Sequence, residues 1–242
     1  MGSEQRQALQ ADLESVLLRR FHQVPRYGVL AKEGDALSQR YVSLIYGPDG
    51  APLAFGTVKP VHTEHAGRRV RIALFGLAAV DARLETTYPL FSLYFAPLLW
   101  MYLSGGFRPF AVAACTMHPA LVELVTRHFS DVHPDYRQPQ RPSSLHAALA
   151  RHLVDTHAPD FGYREDSSFE AEAFVLRNTY GGHCAALRRD FHTLRPARDE
   201  GCNAFCRSTL DYARGDDLLL IGWVDWRAFR LNLPLAFKRK LR

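Results

Sequence analysis

The chain has 242 residues, 47% hydrophobic and 23% charged, so it is long enough to bury a core, and this composition excludes a disordered chain. Lys and Arg number 30 against 25 Asp and Glu, and the resulting net charge of +5 favours acidic partners without identifying one. The four cysteines, Cys115, Cys184, Cys202 and Cys206, are too few for a secreted scaffold held by disulfides. No basic segment followed by an apolar run opens the chain, so we expect a reducing, cytoplasmic setting.

The first third of the chain predicts one helix followed by three strands. Apolar residues at helical spacing predict an amphipathic helix over residues 4–21. Runs rich in β-forming residues predict strands over 40–46, 52–61 and 69–80. The turn sequence Gly47-Pro48-Asp49-Gly50 joins the first two strands as a hairpin. The third is apolar throughout, which indicates a buried central strand with an irregularity near Gly76.

An uncharged segment follows at residues 88–107 and requires a membrane test. A membrane-spanning helix needs about 20 mostly apolar residues. Pro97 interrupts this run and Gly105-Gly106 ends it, so we interpret it as a buried helix over 88–103 and expect no transmembrane segment.

The rest of the chain continues the alternation of helices and strands. Pro119 suits the first turn of a predicted helix at 118–129, because its missing N–H is not needed there. The remaining predicted elements are a strand at 109–115, a helix at 144–157, a strand at 169–178, a helix at 202–212, a strand at 218–224 and a basic helix at the C-terminal end. This order predicts an α/β fold, a mixed sheet with helices on its faces.

Three segments resemble the GNAT superfamily of acyl-CoA-dependent N-acyltransferases. They are RYVSLIYGPDGAPLAFGTVKP (40–60), RVRIALFGLAAVDARLETTYPL (69–90) and CTMHPALVELVTRHF (115–129). They are similar to the hairpin, to the central strand with its donor-binding turn and helix, and to the later strand end and helix of that family. The resemblance covers roughly residues 1–135 and implies a splayed central sheet. We predict a core over residues 1–165 and an α/β extension over 166–242 packed on it, for which the family offers no pattern.

The resemblance also implies a donor site. The central strand splays from its neighbour, and the amides of a pantetheine arm dock on the freed backbone groups as an added strand. That role falls to Leu77, Ala78, Ala79 and Val80, with Arg83, Thr86 and Thr87 in the following turn, which opens a helix whose N-terminus suits phosphate groups.

This sequence departs from the family in that turn. Residues 83–88 contain no glycine, and Glu85 places a negative charge where phosphates would lie. One explanation is a donor carried as acyl-phosphopantetheine on an acidic carrier protein, as in the related acyl-homoserine-lactone and N-acyl amino acid synthases. The other is that the donor site has decayed. Acyl-CoA therefore stays open as donor beside the carrier protein, and no metal cofactor is expected.

The uncharged helix bears on the size of the acyl group. Its bulky apolar residues, among them Phe91, Phe95 and Trp100, would suit a pocket for a medium or long acyl chain. The equally weighted alternative is a helix buried wholly in the core. Lipid, lipopeptide or signal biosynthesis in a bacterium is the setting that the resemblance suggests.

Acyl transfer to an amine needs a base, and the departing thiolate can need an acid. His62 and Glu64 share one face of a predicted strand end and are candidate bases, although a solvated hairpin tip is the more common reason for such residues. His118 replaces the Asn of an Asn-Pro pair common in the family and is a candidate acid, or a helix-start residue bonded to backbone. Val125 occupies the place of the family's usual Tyr acid, which weakens the assignment of that role.

The acceptor and the metal question rest on weaker patterns. Glu170 and Glu172 alternate on a predicted strand and would line a site for an amine or peptide acceptor, or else form an exposed edge. His183-Cys184 with Cys202 and Cys206 has poor spacing for zinc. The sequence contains no nucleic-acid-binding motif. A non-catalytic module that binds an acyl ligand or a partner protein is the alternative to the enzyme.

Overall fold

The structure is a computed structural model of the chain. It describes residues 2–21, 24–31, 36–81, 83–84, 88–138, 140–180 and 182–230. The predicted basic helix at the C-terminal end, and Glu85, Thr86 and Thr87, lie outside these residues.

Five helices and eight strands make up most of the described fold, and residues 226–230 are also helical. The helices are α1 (Ser3–Phe21), α2 (Tyr88–Ser104), α3 (Pro119–His128), α4 (Ser144–His157) and α5 (Glu200–Thr209). The strands are β1 (Tyr41–Tyr46), β2 (Pro52–His65), β3 (Arg68–Val80), β4 (Phe110–Thr116), β5 (Ser130–His133), β6 (Ser168–Glu170), β7 (Val175–Arg177) and β8 (Asp217–Val224). Short 3₁₀ turns lie at Gly28–Leu30, Ala158–Phe161, Gly182–Leu187 and Phe191–Thr193.

The eight strands form one open, mixed sheet. Its order is β1-β2-β3-β4-β8-β7-β6, and β5 pairs with β8 outside this path. Only the pair β3–β4 is parallel, and it needs the long crossover that α2 provides. The predicted α/β class, with a mixed sheet flanked by helices, is confirmed.

Local chemistry fixes where several helices begin. Pro119 occupies the first turn of α3. Ser143 caps α4 by accepting a hydrogen bond of 3.2 Å from the backbone N–H of His146. Asp199 caps α5 in the same way, accepting from the backbone N–H of Gly201 at 2.9 Å.

The helices cover both faces of the sheet. Phe75 packs beneath α2 and Leu77, two residues later, packs beneath α1 on the opposite face, because the pairing of β3 with β2 shifts between these two residues. The helix α4 lies on the same face as α1, over Ile72 and Leu74 of β3. The helices α3 and α5 cover the other face beyond α2. The centre of β3 is therefore buried on both sides.

The last third of the chain builds part of the same sheet. The strand β8 pairs with β4 along its whole length, from Phe110–Val224 to Thr116–Leu218. The strand predicted at 169–178 is instead a hairpin of two short strands, β6 and β7, with a turn between them. Phe174, directly before β7, and Asn178, directly after it, have positive φ angles of 56° and 61°, which confine β7 to three residues.

The described helices include none that is both long enough and apolar enough to cross a membrane. The uncharged helix α2 has 17 residues. Its Trp100 and Leu103 are exposed by 58% and 45%, so α2 is not buried on all sides.

Candidate functional site

The predicted irregularity near Gly76 is a β-bulge. The register of β2 with β3 shifts between the pairs Gly56–Ala78 and Val58–Phe75, so Gly76 and Leu77 lie opposite the single residue Thr57. The Thr57 hydroxyl donates a hydrogen bond of 3.0 Å to the carbonyl of Leu77. A Cβ atom on Gly76 would lie 2.5 Å from the same Thr57 oxygen, which is why the bulge needs glycine there.

Directly at the bulge, β3 separates from β4. The two strands pair only from Ile72–Ala111 to Leu74–Ala113, although β3 continues to Val80. In the described chain the facing edges beyond these pairs have no strand partner. Backbone N–H and C=O groups on such edges are free to bond a ligand, water or a third strand. We call this gap the splay.

A cavity of about 170 Å³ occupies the splay. Phe75, Tyr94 and Leu124 line it from the face covered by α2 and α3. Tyr27 lines it from the face covered by α1, and Tyr180, which also lines it, packs against the clusters on both faces. The cavity is therefore lined by residues from both faces of the sheet, between the separated edges of β3 and β4.

A second, smaller cavity of about 40 Å³ adjoins the first and is lined almost wholly by apolar side chains, Phe95 among them. Phe75, Tyr94 and Leu124 line both cavities. The Tyr94 ring stacks on Phe75 with 4.3 Å between ring centroids, and its hydroxyl donates a hydrogen bond of 3.4 Å to the carbonyl of Gly76. Tyr94 therefore belongs to the wall that the two cavities share, and its hydroxyl bonds one carbonyl of the bulge.

His118 lines the splay cavity where α3 begins, so the structure places this predicted residue in the site. Burial, aided by the positive charges of Arg20 and Arg189, lowers the pKa of the imidazole to about 4. The ring is neutral at physiological pH and makes no cap to the helix. It is thus able to donate or accept a hydrogen bond but is a weak base.

Of the predicted donor-binding residues, the structure brings Leu77 and Ala78 to the cavity wall. Ala79 is buried in the core beneath α1 and Val80 continues the strand. Arg83 donates to the carboxylate of Asp81 at 3.0 Å, and Arg19 of α1 donates to it at 2.6 Å. The Arg83 side chain is therefore engaged by a carboxylate within its own turn.

A buried carboxyl group that the sequence analysis did not single out lies behind the same cavity. Asp217 is only 1% exposed, and its Oδ1 atom has no hydrogen-bond partner in the described part of the chain. Tyr180 lies near enough to act on the pKa of this carboxyl group. A carboxyl group opening the apolar run DLLLIGWV was the signal available in the sequence.

Burial raises the pKa of Asp217 to about 7, an effect that the nearby Asp216 charge strengthens and Tyr180 opposes. The neighbouring Asp216 has the opposite environment. Its carboxylate accepts hydrogen bonds from Arg177 and Arg214 at 2.6 and 2.7 Å, and its pKa is lowered to about 2 despite burial.

Cys115 also lines the cavity, from β4. Burial and the nearby Asp217 raise the pKa of its thiol well above the usual value. The thiol is therefore protonated at neutral pH and is not activated as a nucleophile.

The predicted bases lie at the other end of β3. His62 and Glu64 are exposed and pair with Arg71 and Arg69 across the hairpin. The partner of His62 is Arg71, which lies five residues before Gly76, so His62 is about 17 Å from the bulge along the strand. It lines an open groove of about 1330 Å³ with Arg68, Arg69 and Arg108, and the structure does not bring it to the cavity.

The predicted acceptor and acyl-chain residues are also dispersed. Glu170 in β6 is exposed and forms an ion pair with Arg177, and Glu172 is exposed in the turn after β6. Neither lines the splay cavity. Phe95 lines the smaller cavity, Trp100 is exposed by 58%, and the Phe91 side chain lies outside the described structure.

No group of three or more His, Cys, Asp and Glu side chains is placed to hold a metal ion among the described residues. No protein-family model matches the chain, and no curated protein matches it either. The splay, with the bulge and the buried acid beside it, is the candidate functional site on geometry alone.

Proposed function

We propose that the chain is an N-acyltransferase of the GNAT type, which moves an acyl group from a thioester to an amine. The observation that carries this proposal is the splay. It combines a bulged central strand, a parallel neighbour that pairs over three residues only, and a cavity between the two edges.

The splay suits a pantetheine arm for a physical reason. Such an arm is narrow, extended and contains two amide groups, so it can form main-chain hydrogen bonds with an unpaired strand edge, as an added strand does. Ala78 and Leu77 of β3 offer that edge, facing Ala114 and Cys115 of β4. Placed there, the thioester would lie inside the sheet, away from bulk water, which protects it from hydrolysis.

The charges around the site favour a phosphate-bearing donor, and a carrier protein before free CoA. Arg20 and Arg189 lie near His118, which lines the cavity, and both lower its pKa. In contrast, Arg83 in the turn after β3 is already held by Asp81. A phosphopantetheine arm brings one phosphate and an acidic carrier, whereas CoA brings several phosphates that this turn would have to hold.

The acyl chain is proposed to pass Tyr94 into the smaller cavity. That cavity adjoins the first through Phe75, Tyr94 and Leu124, and its lining is apolar. Rotation of Tyr94 away from Phe75 would join the two spaces and free the Gly76 carbonyl. A medium-length acyl group would then have apolar walls along its length.

The same tyrosine supports the second candidate function. Because Tyr94 fills part of the splay and already bonds the bulge, a non-catalytic protein with a partly closed site would have this arrangement. Such a protein would bind an acyl ligand or a partner without turnover.

The test is incubation of the full chain with acyl-CoA and acyl-carrier-protein donors of several chain lengths and a mixed pool of amines and peptides, followed by mass spectrometry. Thiol release together with a new acyl amide supports the enzyme, and the preferred donor decides between carrier protein and CoA. A donor that binds in native mass spectrometry but is not consumed supports the binding module. If no donor is bound or consumed, both candidates are overturned.

A further inference from the structure

Asp217 is a buried acid at the edge of the candidate site. It opens β8, and the next residue, Leu218, pairs with Thr116, which lines the splay cavity. A carboxyl group that is 99% buried normally satisfies both oxygens, because an unpaired polar atom in the interior costs free energy. Here Oδ1 has no partner among the described residues, although the group is 1% exposed.

The surroundings of the Asp217 carboxyl are polar but contain no cation that pairs with it in the described chain. The titratable groups that face it are Tyr180 after β7, Tyr27 after α1, Cys115 on β4, Tyr212 before β8 and the adjacent Asp216. Arg214, the nearest arginine in sequence, and Arg177 of the neighbouring strand β7 both pair with Asp216. The carboxyl group therefore has neutral neighbours and one negative one.

Three of these neighbours form the cavity wall. Tyr27, Cys115 and Tyr180 line the splay cavity, so the Asp217 carboxyl lies one side chain behind its surface. Tyr180 is the member that favours the ionised form of the Asp217 carboxyl. A hydroxyl placed between a cavity and a buried carboxyl is able to pass a proton from one to the other.

We propose that Tyr180 and Asp217 form the proton-transfer pair for the acceptor amine, with Tyr180 the catalytic residue that contacts the nitrogen and Asp217 the positioning residue behind it. This rests on the proposed function. Tyr27 lies on the face of the sheet beneath α1, opposite Tyr94, and Tyr180 packs against clusters on both faces. With the acyl chain on the α2 face beside Tyr94, the proposal places the acceptor amine on the side of Tyr27 and Tyr180.

The lone pair of the neutral amine forms the C–N bond to the thioester carbon, and the C–S bond breaks with its electron pair leaving on sulfur as a thiolate. The surplus proton on nitrogen passes to the Tyr180 oxygen, whose own proton passes to the Asp217 carboxylate. The proton then returns through Tyr180 to the thiolate, so the products are an amide and a free thiol.

The Asp217 pKa of about 7 suits this exchange, because a group that titrates near neutral pH both takes up and releases a proton readily. Asp217 must be ionised to accept the proton, so kcat should rise with pH through about 7 and then level off.

The test compares four variants of the full chain with the wild type, using the donor and amine that the wild type consumes. Tyr180→Phe should lower kcat at least 30-fold with the KM of the donor unchanged. Asp217→Asn should lower kcat and remove its rise through pH 7, and Asp217→Glu should retain part of the rate with the rise shifted along the pH axis. Tyr163→Phe, at a tyrosine that does not line the cavity and packs against the cluster beneath α4, is the matched control and should keep the wild-type rate.

Thermal unfolding of each variant shows whether it is folded, and Asp217→Glu keeps the test decisive if Asp217→Asn does not fold. If the folded Tyr180→Phe variant keeps more than a third of kcat, or if Asp217→Asn keeps the pH profile, the assignment is overturned while the proposed function stands. If the wild type transfers no acyl group from any donor, the proposed function fails first and this assignment fails with it.

Discussion

The two ends of β3 differ in what they do with their charged residues. At the hairpin end, Arg68, Arg69, His62 and Glu64 are exposed around a wide groove. At the splay end, Asp217 is buried beside a narrow cavity lined mainly by aromatic and aliphatic side chains. The same strand thus joins a solvated basic surface to an enclosed site.

This difference indicates which end of β3 is suited to a proton-transfer reaction. An exposed charge keeps its ordinary protonation behaviour and contributes little beyond steering, because water and salt screen it. A buried carboxyl group without a cation has a raised pKa and an unpaired oxygen, which are properties of sites that exchange protons. We therefore place the proposed reaction at the splay end.

Filling the splay should have the largest effect. Ala78 lines the cavity, and the added ring in Ala78→Phe would occupy much of its 170 Å³. We expect acyl transfer to fall by roughly 100-fold, because a thioester displaced by even about 1 Å loses its alignment with the acceptor. Initial rates measured with the preferred donor check this.

Ala78→Ser is the matched control at the same position, since it leaves the cavity volume nearly unchanged, and it should keep most of the activity. A folded Ala78→Phe variant with the wild-type rate would remove the splay from the mechanism and would leave the hairpin end as the alternative site.

The next largest effect is on the pH dependence of stability, which should differ between the neighbouring residues Asp217 and Asp216. The folded-state pKa of Asp217 is raised from 3.8 to about 7, so between those pH values the folded chain holds a proton that the unfolded chain has released. Stability conferred by that proton is greatest at low pH and is lost as the pH rises. Relative to Asp217→Asn, the wild type should lose about 2.5 kcal/mol of unfolding free energy between pH 5 and pH 7.

Asp216→Asn provides the contrast. The Asp216 pKa is lowered to about 2 by its two arginines, so its contribution is present above pH 3.8 and disappears as the pH falls towards 2. Urea unfolding across pH 3 to 8 measures both dependences. Equal pH dependence of the Asp217→Asn variant and the wild type would show that this carboxyl is not the buried acid that we describe.

A smaller effect should come from the bulge that opens the splay. In Gly76→Ala, the new methyl group would lie 2.5 Å from the buried Thr57 hydroxyl, at a cost of about 1–3 kcal/mol. With that oxygen removed, the next neighbour lies at 3.7 Å, which is ordinary contact.

Thr57→Ala supplies that background. It should itself cost about 1 kcal/mol, because the Leu77 carbonyl loses its donor. In this background Gly76→Ala should cost less than half of its cost in the wild type, as measured by urea unfolding in a double-mutant cycle. Additive costs would contradict the contact between Thr57 and position 76.

The sequence was informative about the splay because local signals agreed there. Three local signals each predicted one feature that the structure has. The turn Gly47-Pro48-Asp49-Gly50 predicted the hairpin, and the glycine within the apolar run at Gly76 predicted the bulge. Pro119 predicted the start of α3. The strand predicted at 169–178 failed because its two halves pair with each other as a hairpin. The alternation of apolar and polar residues does not indicate where a chain turns back on itself.

The candidate site was less predictable, because it is assembled from distant parts of the chain. Leu77, Ala78 and His118 were found from the sequence, and all three line the cavity. Asp217 and Tyr180 were missed, since their meeting with Tyr27 depends on the position of β8 in the sheet order. Only the pairing of β8 with β4 and β7 brings them to the splay.

The smallest effect should come from the hairpin end. His62 and Glu64 remain predicted bases from the sequence, but they lie about 17 Å along the strand from the bulge, beyond the reach of a hydrogen bond to a substrate held in the splay. If Tyr180 and Asp217 move the proton, His62→Ala and Glu64→Gln should each keep kcat within about twofold of the wild type. A tenfold loss in either variant, with Tyr180→Phe still active, would reverse the comparison and place the base in the basic groove. Because both side chains are exposed, neither substitution is expected to disturb folding, so the rate alone decides between the two ends of β3.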